Sequence, residues 1–139
     1  MEALNAAFTQ VRDAGATELV LDLRYNGGGL VSVSEDPSSN IGGSPLVGQV
    51  FVQFTHNDKQ SSRNSSLRFE SKPQALAVSR LVAITTRGSA SASEAIVNGL
   101  RPYMDVKLVG DTTYGKPVGQ YGFEFCDKVL YPVAFLVTN

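Results

Sequence analysis

The sequence predicts an α/β fold, in which helices pack against a sheet of short, mostly apolar strands. A helical pattern over residues 2–14 leads directly into the apolar run at 18–23. A second apolar run at 81–84 precedes another helical pattern at 89–100. Continuous apolar runs of this length are typical of strands that are buried in a parallel sheet. Helices next to such strands indicate a layered α/β architecture.

Size and composition limit the classes of protein to consider. The 139 residues fit one domain or part of a larger one. The hydrophobic fraction of 42% is that of an ordinary globular protein. The formal net charge of −1 argues against a general nucleic-acid surface. We expect no stable membrane insertion, because no apolar run reaches spanning length. Oligomeric state is left open.

The first third of the chain predicts a helix, a buried strand and a glycine-rich turn. Gly15 follows the first helical pattern at the position where glycine commonly ends a helix. Gly27–Gly29 follow the strand, so the backbone there turns sharply or is approached closely. This run lacks the spacing of a phosphate-binding loop. The segment 30–41 begins as a helix that we expect Asp36–Pro37 to interrupt.

The remaining elements are predicted from alternation and composition. Residues 49–54 alternate with a period of two and predict a half-buried strand, whereas 56–66 is a polar surface loop. The later predictions are a short strand within 67–73, a third apolar strand at 107–110, and longer strands at 118–125 and 129–137 around a turn at 126–128.

The single histidine and the single cysteine are expected to be structural. His56 lies in or beside the polar loop, where an exposed structural role is favoured over a catalytic one. Cys126 lies in an apolar segment and is expected to be a small buried thiol, with no partner for an intrachain disulfide. One histidine and one cysteine do not fill a zinc shell.

The segment Gly88–Glu94 reads Gly-Ser-Ala-Ser-Ala-Ser-Glu and joins a strand to a helix. Unpaired amides at a helix N-terminus favour developing negative charge, so this junction suits a nucleophilic serine. The alternative is a plain helix cap, since Ser is a preferred cap residue and Glu94 supplies a capping-box partner. On this motif alone both readings stay open.

A nucleophilic serine needs a base, and Lys116 is a candidate besides His56. Tyr114, Gly115 and Pro117 surround it, so it has few charged neighbours in sequence. That setting is compatible with burial, which favours the neutral form of a lysine. The alternative is a surface-loop lysine.

Three sequence blocks taken together indicate a protein family more specifically than the serine segment or Lys116 alone. They are 19–29, with its Asp-Leu-Arg-Tyr-Asn-Gly-Gly-Gly ending, 88–94, and 109–116 followed by Gln120. In this order they resemble the carboxyl-terminal processing (tail-specific) serine proteases, which use a Ser-Lys dyad. The 25-residue separation of Ser91 and Lys116 matches the family pattern.

The resemblance implies a role for each matching residue. Ser91 is the expected nucleophile, Lys116 the general base and later acid, and Gln120 the residue that orients Lys116. The oxyanion hole is expected to combine the Ala92 amide with a glycine amide. Gly28 is favoured for the second amide and Gly29 is the alternative; Glu94 and Thr113 are expected supporting positions.

Neighbouring polar residues are expected to be structural. We interpret Ser89 and Ser93 as hydrogen-bonding residues at the start of the helix. Asp22 and Arg24 are also interpreted as structural, with Arg24 hydrogen-bonding loops near the site.

The resemblance also implies a fold and an activity. The expected fold is a mainly parallel curved sheet with flanking helices, like the core shared by Clp-type peptidases and crotonases. Residues 1–139 are expected to be a single catalytic-core domain of a longer protein, without a PDZ domain. The expected activity is serine endopeptidase or processing peptidase cleavage of polypeptides near their C-termini through an acyl-enzyme, without a cofactor. The family implies the cell envelope, periplasm or another exported space.

Two other functions are compatible with the same fold. One is a non-catalytic module that binds peptide or another ligand. The other is a crotonase-like acyl-CoA enzyme, which uses paired oxyanion amides but needs no Ser-Lys pair. A solvated Lys116 favours the first, and coenzyme A binding distinguishes the second.

Overall fold

A computed structural model describes residues 1–139 and contains two sheets and a hairpin. The strand order is β1-β4-β5 in a parallel sheet and β3-β2-β9-β6 in an antiparallel sheet, and β7 pairs with β8. The helices are α1 Glu2–Asp13, α2 Val31–Gly42 and α3 Ala92–Leu100, with 3₁₀ turns at Ser44–Leu46 and Asp58–Arg63. The strands are β1 Glu18–Asp22, β2 Val50–Thr55, β3 Ser65–Arg68, β4 Arg80–Thr85, β5 Asp105–Gly110, β6 Val118–Gln120, β7 Phe123–Phe125, β8 Lys128–Leu130 and β9 Val133–Thr138.

The predicted α/β class with a parallel sheet is confirmed. β4 is the central strand of that sheet, and its Leu81 and Ala83 side chains are fully buried. Leu19 pairs with Leu81, which pairs with Val106, so the three apolar runs share one register. The carboxyl ends of parallel strands lie at one edge. The glycine run after β1 and the serine motif after β4 therefore meet there.

The main core lies between the two sheets and helices α2 and α3. Its largest fully buried side chains are Phe51 and Phe69, whose rings meet edge-on with centroids 5.4 Å apart. Ile41 of α2, Leu81 of β4 and Leu100 of α3 complete this centre. Burial of side chains of this size contributes roughly 1.5–3 kcal/mol each, so this core holds both sheets against the helices.

The expected interruption at Pro37 is wrong, because α2 continues through it to Gly42. Pro37 lies on the buried face of the helix, where tertiary packing outweighs the lost backbone hydrogen bond. Two serine hydroxyls donate to helix carbonyls on the same face, Ser34 to Val31 at 2.7 Å and Ser38 to Ser34 at 2.8 Å.

The C-terminal hairpin is more broken than predicted. The turn at 126–128 is confirmed, but each of the two long strands is divided into two short ones. Cys126 and Asp127 have φ values of 46° and 58°, as a two-residue hairpin turn requires. Cys126 is exposed, so the expected buried thiol is wrong. A turn position places its side chain outside the core, although its neighbours are apolar.

The polar loop is also more ordered than predicted. Residues 58–63 form exposed 3₁₀ turns, and the returning strand β3 begins at Ser65, before the predicted 67–73 segment. None of the three α-helices combines the length and the hydropathy that crossing a bilayer requires.

Gly99 allows α3 to pack against Phe51, and this contact gives a test of the core. A Cβ at Gly99 would lie 2.4 Å from Phe51 Cε2 and 3.0 Å from the Phe51 carbonyl oxygen. We expect Gly99→Ala to lower the free energy of unfolding by about 1–3 kcal/mol. Urea denaturation measures it, with exposed Asn98→Ala as the control. Helix propensity alone predicts the opposite, a gain of about 1 kcal/mol, and that gain would refute the packing account.

Candidate active site

Ser91 lies at the start of α3 in a strained backbone conformation. Its φ of 56° and ψ of −115° place a residue with a side chain in a sparsely populated region. Two hydrogen bonds secure the turn: the Ser91 N–H donates to Glu94 Oε2 at 2.7 Å, and the Ala90 N–H donates to the Asn26 carbonyl at 3.2 Å. Ser91 is half-buried and lines a cavity. These hydrogen bonds hold the strained turn in place, with Ser91 at the wall of that cavity.

The other two serines of the motif bind the glycine loop. Ser89 Oγ donates to the Leu23 carbonyl at 2.7 Å, and Ser93 Oγ donates to the Asn26 carbonyl at 3.0 Å. Both side chains are buried. Their predicted structural role is confirmed, and Ser91 is the serine of the three that faces a cavity.

Glu94 joins the serine turn to the lysine segment. Besides the Ser91 amide, its carboxylate accepts the Gly115 N–H at 2.6 Å and the Lys116 N–H at 2.9 Å. Burial raises the pKa of this carboxyl, but hydrogen bonds from those amides and the Thr113 hydroxyl outweigh it and hold the pKa below its ordinary value. The predicted capping-box position of Glu94 is confirmed. The same carboxylate also fixes a loop whose amides lie 21 and 22 residues away in sequence.

Lys116 and Ser91 line the same two cavities. One has a volume of about 190 Å³ and includes Glu94 and Asn98; the other has about 510 Å³ and includes Gly29 and Gln120. Lys116 is half-buried. No hydrogen bond joins Ser91 Oγ to Lys116 Nζ in this structure. The fold thus brings both side chains to one site, between two cavities.

Gly28 packs directly against the serine turn. A Cβ there would lie 2.6 Å from the Ala90 carbonyl oxygen, 2.8 Å from the Ala92 nitrogen and 2.9 Å from Ser91 Cβ. Only glycine allows this approach, and the φ of 96° also favours it. The Gly28 N–H donates to Asn26 Oδ1 at 3.0 Å, whereas the space beside Gly29 is open. The first-turn amide of Ala92 has no intrahelical acceptor.

Gln120 lines the larger cavity but does not contact Lys116 through a hydrogen bond. Its Nε2 donates to the Tyr131 carbonyl at 2.6 Å. Its orienting role stays a prediction. Thr113 contributes its hydroxyl to the Glu94 carboxylate.

Two expectations for nearby residues are wrong. Arg24 does not bond the site loops; it binds Asp22, with Nη2 2.7 Å from Oδ2, because the two side chains project on the same face of the extended chain. His56 is 8% exposed and not a surface residue. Its ring lies 3.0 Å from the Tyr121 hydroxyl, which covers it.

Sequence reasoning missed the aromatic lining of the larger cavity, formed by Phe54, Tyr121, Tyr131 and Phe135. Phe54 and Phe135 lie on the neighbouring strands β2 and β9, with rings 5.3 Å apart. Residues 133–137 are apolar at every position, so no alternation in this strand indicates which of its side chains line the cavity. No group of three His, Cys, Asp or Glu side chains in the structure is placed to hold a metal ion.

Comparisons with known proteins indicate the family and the fold of the chain. The family profile described as peptidase family S41 matches residues 1–136. The carboxyl-terminal-processing protease of Synechocystis is 32% identical over 121 residues, which are 87% of this chain and 26% of that protein. The carboxy-terminal processing protease CtpA of Bacillus subtilis is 29% identical over 124 residues, 89% of this chain and 25% of that protein. The chain thus spans about a quarter of the length of these relatives.

Solved structures match nearly the whole chain. A putative S41 protease from Bacteroides fragilis superposes with a TM-score of 0.90 and 29% identity, covering 99% of this chain and 37% of that one. The photosystem II D1 C-terminal processing protease superposes with a TM-score of 0.75 and 24% identity, covering 99% and 34%. The second likeness shows the fold alone.

The Glu94 carboxylate gives a pH-dependent test of how the site is held together. We expect Glu94→Gln to lower the free energy of unfolding by about 1–3 kcal/mol at pH 7, because a carboxamide does not accept several N–H donors equally well. The folded-state pKa lies below the ordinary 4.5, so the carboxylate stabilises the fold above that pH. This contribution is lost as the pH falls through the folded-state pKa.

The measurement is denaturant unfolding of both proteins between pH 7 and pH 3. The difference in free energy of unfolding between wild type and Glu94→Gln should decrease as the pH falls. Glu124→Gln, on the exposed strand β7, should not differ from wild type at any pH. A gap that is constant over this range would mean that the carboxylate charge does not hold the turn.

Proposed function

The chain belongs to peptidase family S41, and we propose that it is the catalytic core of a serine-type processing peptidase with a Ser-Lys dyad. The substrate is polypeptide, cleaved near its C-terminus. The observation that carries this proposal is the meeting of Ser91 and Lys116 at the N-terminus of α3, where both line the same two cavities. Family members named for carboxyl-terminal processing support the substrate class.

Each step of amide hydrolysis has a candidate group. Ser91 Oγ attacks the scissile carbonyl carbon as Lys116 Nζ takes the hydroxyl proton. The resulting ammonium gives that proton to the leaving amine when the tetrahedral intermediate collapses to an acyl-enzyme. Lys116 Nζ then takes a proton from a water molecule, which attacks the acyl carbon. The acid leaves, and Lys116 returns the proton to Ser91 Oγ. Bound substrate excludes water from the cavity in which both side chains react.

The oxyanion hole is proposed from backbone amides alone. Ala92 supplies one, at the positive end of the α3 dipole. A glycine of the run supplies the other: Gly28 lies against the turn, and Gly29 has open space beside it. In the first case the Gly28 amide must leave Asn26 Oδ1, its acceptor in this structure, when the oxyanion forms.

We propose that the peptide binds as an extended strand along β6. This strand is one of the two edges of the antiparallel sheet and begins two residues after Lys116. Edge strands offer unpaired backbone groups to an extended peptide. Localisation in the cell envelope or another exported space is a further proposal that rests on the family resemblance, and cell fractionation tests it.

Replacing either member of the dyad tests the activity itself. We expect Ser91→Ala and Lys116→Met each to lower kcat for an internally quenched peptide by roughly 10⁴-fold or more, since a nucleophile and its base act as a unit. Matched controls are Ser71→Ala and Lys59→Met, which alter exposed residues outside both cavities. Cleavage that survives in the Ser91→Ala protein would refute the proposal.

Two glycines of the same run allow a comparison of a closely packed position, Gly28, with an open one, Gly27. Gly28→Ala should lower kcat about 10²–10³-fold, because its methyl group displaces the serine turn and the Ala92 amide. A Cβ at Gly27 meets nothing within 4 Å, so Gly27→Ala should stay close to wild type. If the two variants have equal activity, Gly28 is not part of the active site.

A further inference from the structure

The larger cavity beside Ser91 is apolar for most of its wall. It has a volume of about 510 Å³, within the range of ligand-binding pockets. Phe54 and Leu67 of its lining also pack against the main core, so this part of the wall is continuous with a rigid interior. Lys116 is the only charged residue in the lining.

Three aromatic rings form one side of this cavity. Phe135 lies between the other two: its centroid is 5.3 Å from Phe54 in an edge-on contact and 5.0 Å from Tyr121 in a tilted one. Gly119 makes room for the Phe135 ring, because a Cβ there would lie 2.1 Å from Phe135 Cζ. The ring position is therefore determined from both sides.

Buried His56 holds this aromatic side in place, and the proposed mechanism does not use it. Its backbone N–H donates to Asn64 Oδ1 at 2.7 Å, and Nδ1 lies 3.3 Å from the same oxygen. That oxygen only accepts, so Nδ1 carries a hydrogen, and a hydrogen bond of 3.0 Å joins Nε2 to the Tyr121 hydroxyl. The imidazole also stacks on the Tyr121 ring and contacts Phe135.

Arg63 contacts the Tyr121 ring from another direction. Its guanidinium lies 4.6 Å from the centroid of Tyr121. Tyr121 is thus fixed by a hydrogen bond, a stacked ring and a cation. Because three contacts hold the Tyr121 ring, it should keep its position when a ligand enters.

We propose that this cavity is a specificity subsite for one bulky apolar side chain of the substrate, aromatic or large aliphatic, and that His56 is its positioning residue. The proposal rests on the proposed peptidase function. An apolar side chain fits a wall of rings and aliphatic groups, whereas a carboxylate or a lysine would lose its water there. A methyl side chain would leave most of the volume unfilled and gain little.

Binding and cleavage are measured separately, so that the subsite and the peptidase function fail independently. Fluorescent peptides that differ only by Phe, Ala or Asp at one position bind to the Ser91→Ala protein, and their Kd values are compared. The same peptides are offered to the wild-type protein, and mass spectrometry locates any cleaved bond. We expect the Phe peptide to bind, and to be cleaved, about tenfold or more better than the Ala peptide.

The variants test the aromatic side directly. Phe135→Ala should reduce the Phe-over-Ala ratio of kcat/KM to about threefold or less. Tyr121→Phe, which removes only the hydroxyl that is hydrogen-bonded to His56, should reduce this ratio by a smaller factor without changing the fold. The control Phe125→Ala alters a ring that is 77% exposed and lies outside this cavity, and it should leave the ratio unchanged. A ratio does not depend on the fraction of folded protein.

Each outcome decides one of the two proposals. Equal Kd values for the Phe, Ala and Asp peptides, or no binding by any, overturn the subsite. Cleavage without preference overturns the subsite and leaves the peptidase function standing. Preferential binding of the Phe peptide without cleavage by the wild-type protein overturns the peptidase function and supports the subsite.

Discussion

One carboxylate connects the two halves of the candidate active site. Glu94 accepts the amides of Ser91, Gly115 and Lys116, which belong to segments separated by more than 20 residues. Three N–H donors around a partly buried acid leave it charged and fixed. The Tyr114 N–H also donates to the Ser89 carbonyl oxygen at 2.9 Å, so the lysine loop is attached to the serine turn both directly and through this carboxylate. The geometry of the proposed dyad therefore depends on a residue that takes no part in bond cleavage.

The rest of the fold brings the partners of this carboxylate together. Strands β1 and β4 end at the same edge of the parallel sheet, so the glycine run and the serine turn meet there. Gly28 then packs against Ser91 without a side chain between them. The antiparallel sheet supplies the opposite wall, with the aromatic rings held by His56. The cleft thus lies between the two sheets. The edge of the parallel sheet contributes the serine turn and the glycine run, and the antiparallel sheet contributes the aromatic wall.

Local sequence signals predicted the parts of this site that depend on chain order. The strand ends, the glycine run and the capping box at Glu94 all follow from residues close together in sequence. The failures at Pro37 and His56 have a common cause. Each depends on what packs against the residue from a distant element, and a local pattern does not contain that information. The aromatic lining was missed for the same reason, since its rings come from strands β2 and β9 and from the residues that follow β6 and β8. Cys126 differs, because its exposure follows from its place in the hairpin turn, which outweighs its apolar neighbours.

The central claim is that Ser91 is a nucleophile activated by Lys116, and covalent labelling tests it most directly. The protein is treated with a fluorophosphonate, which phosphonylates activated serines with loss of fluoride, and peptide mass mapping locates the adduct. We predict one adduct, on Ser91, and its loss in the Lys116→Met protein. Unlabelled Ser91, or labelling that is unchanged by Lys116→Met, would contradict the account.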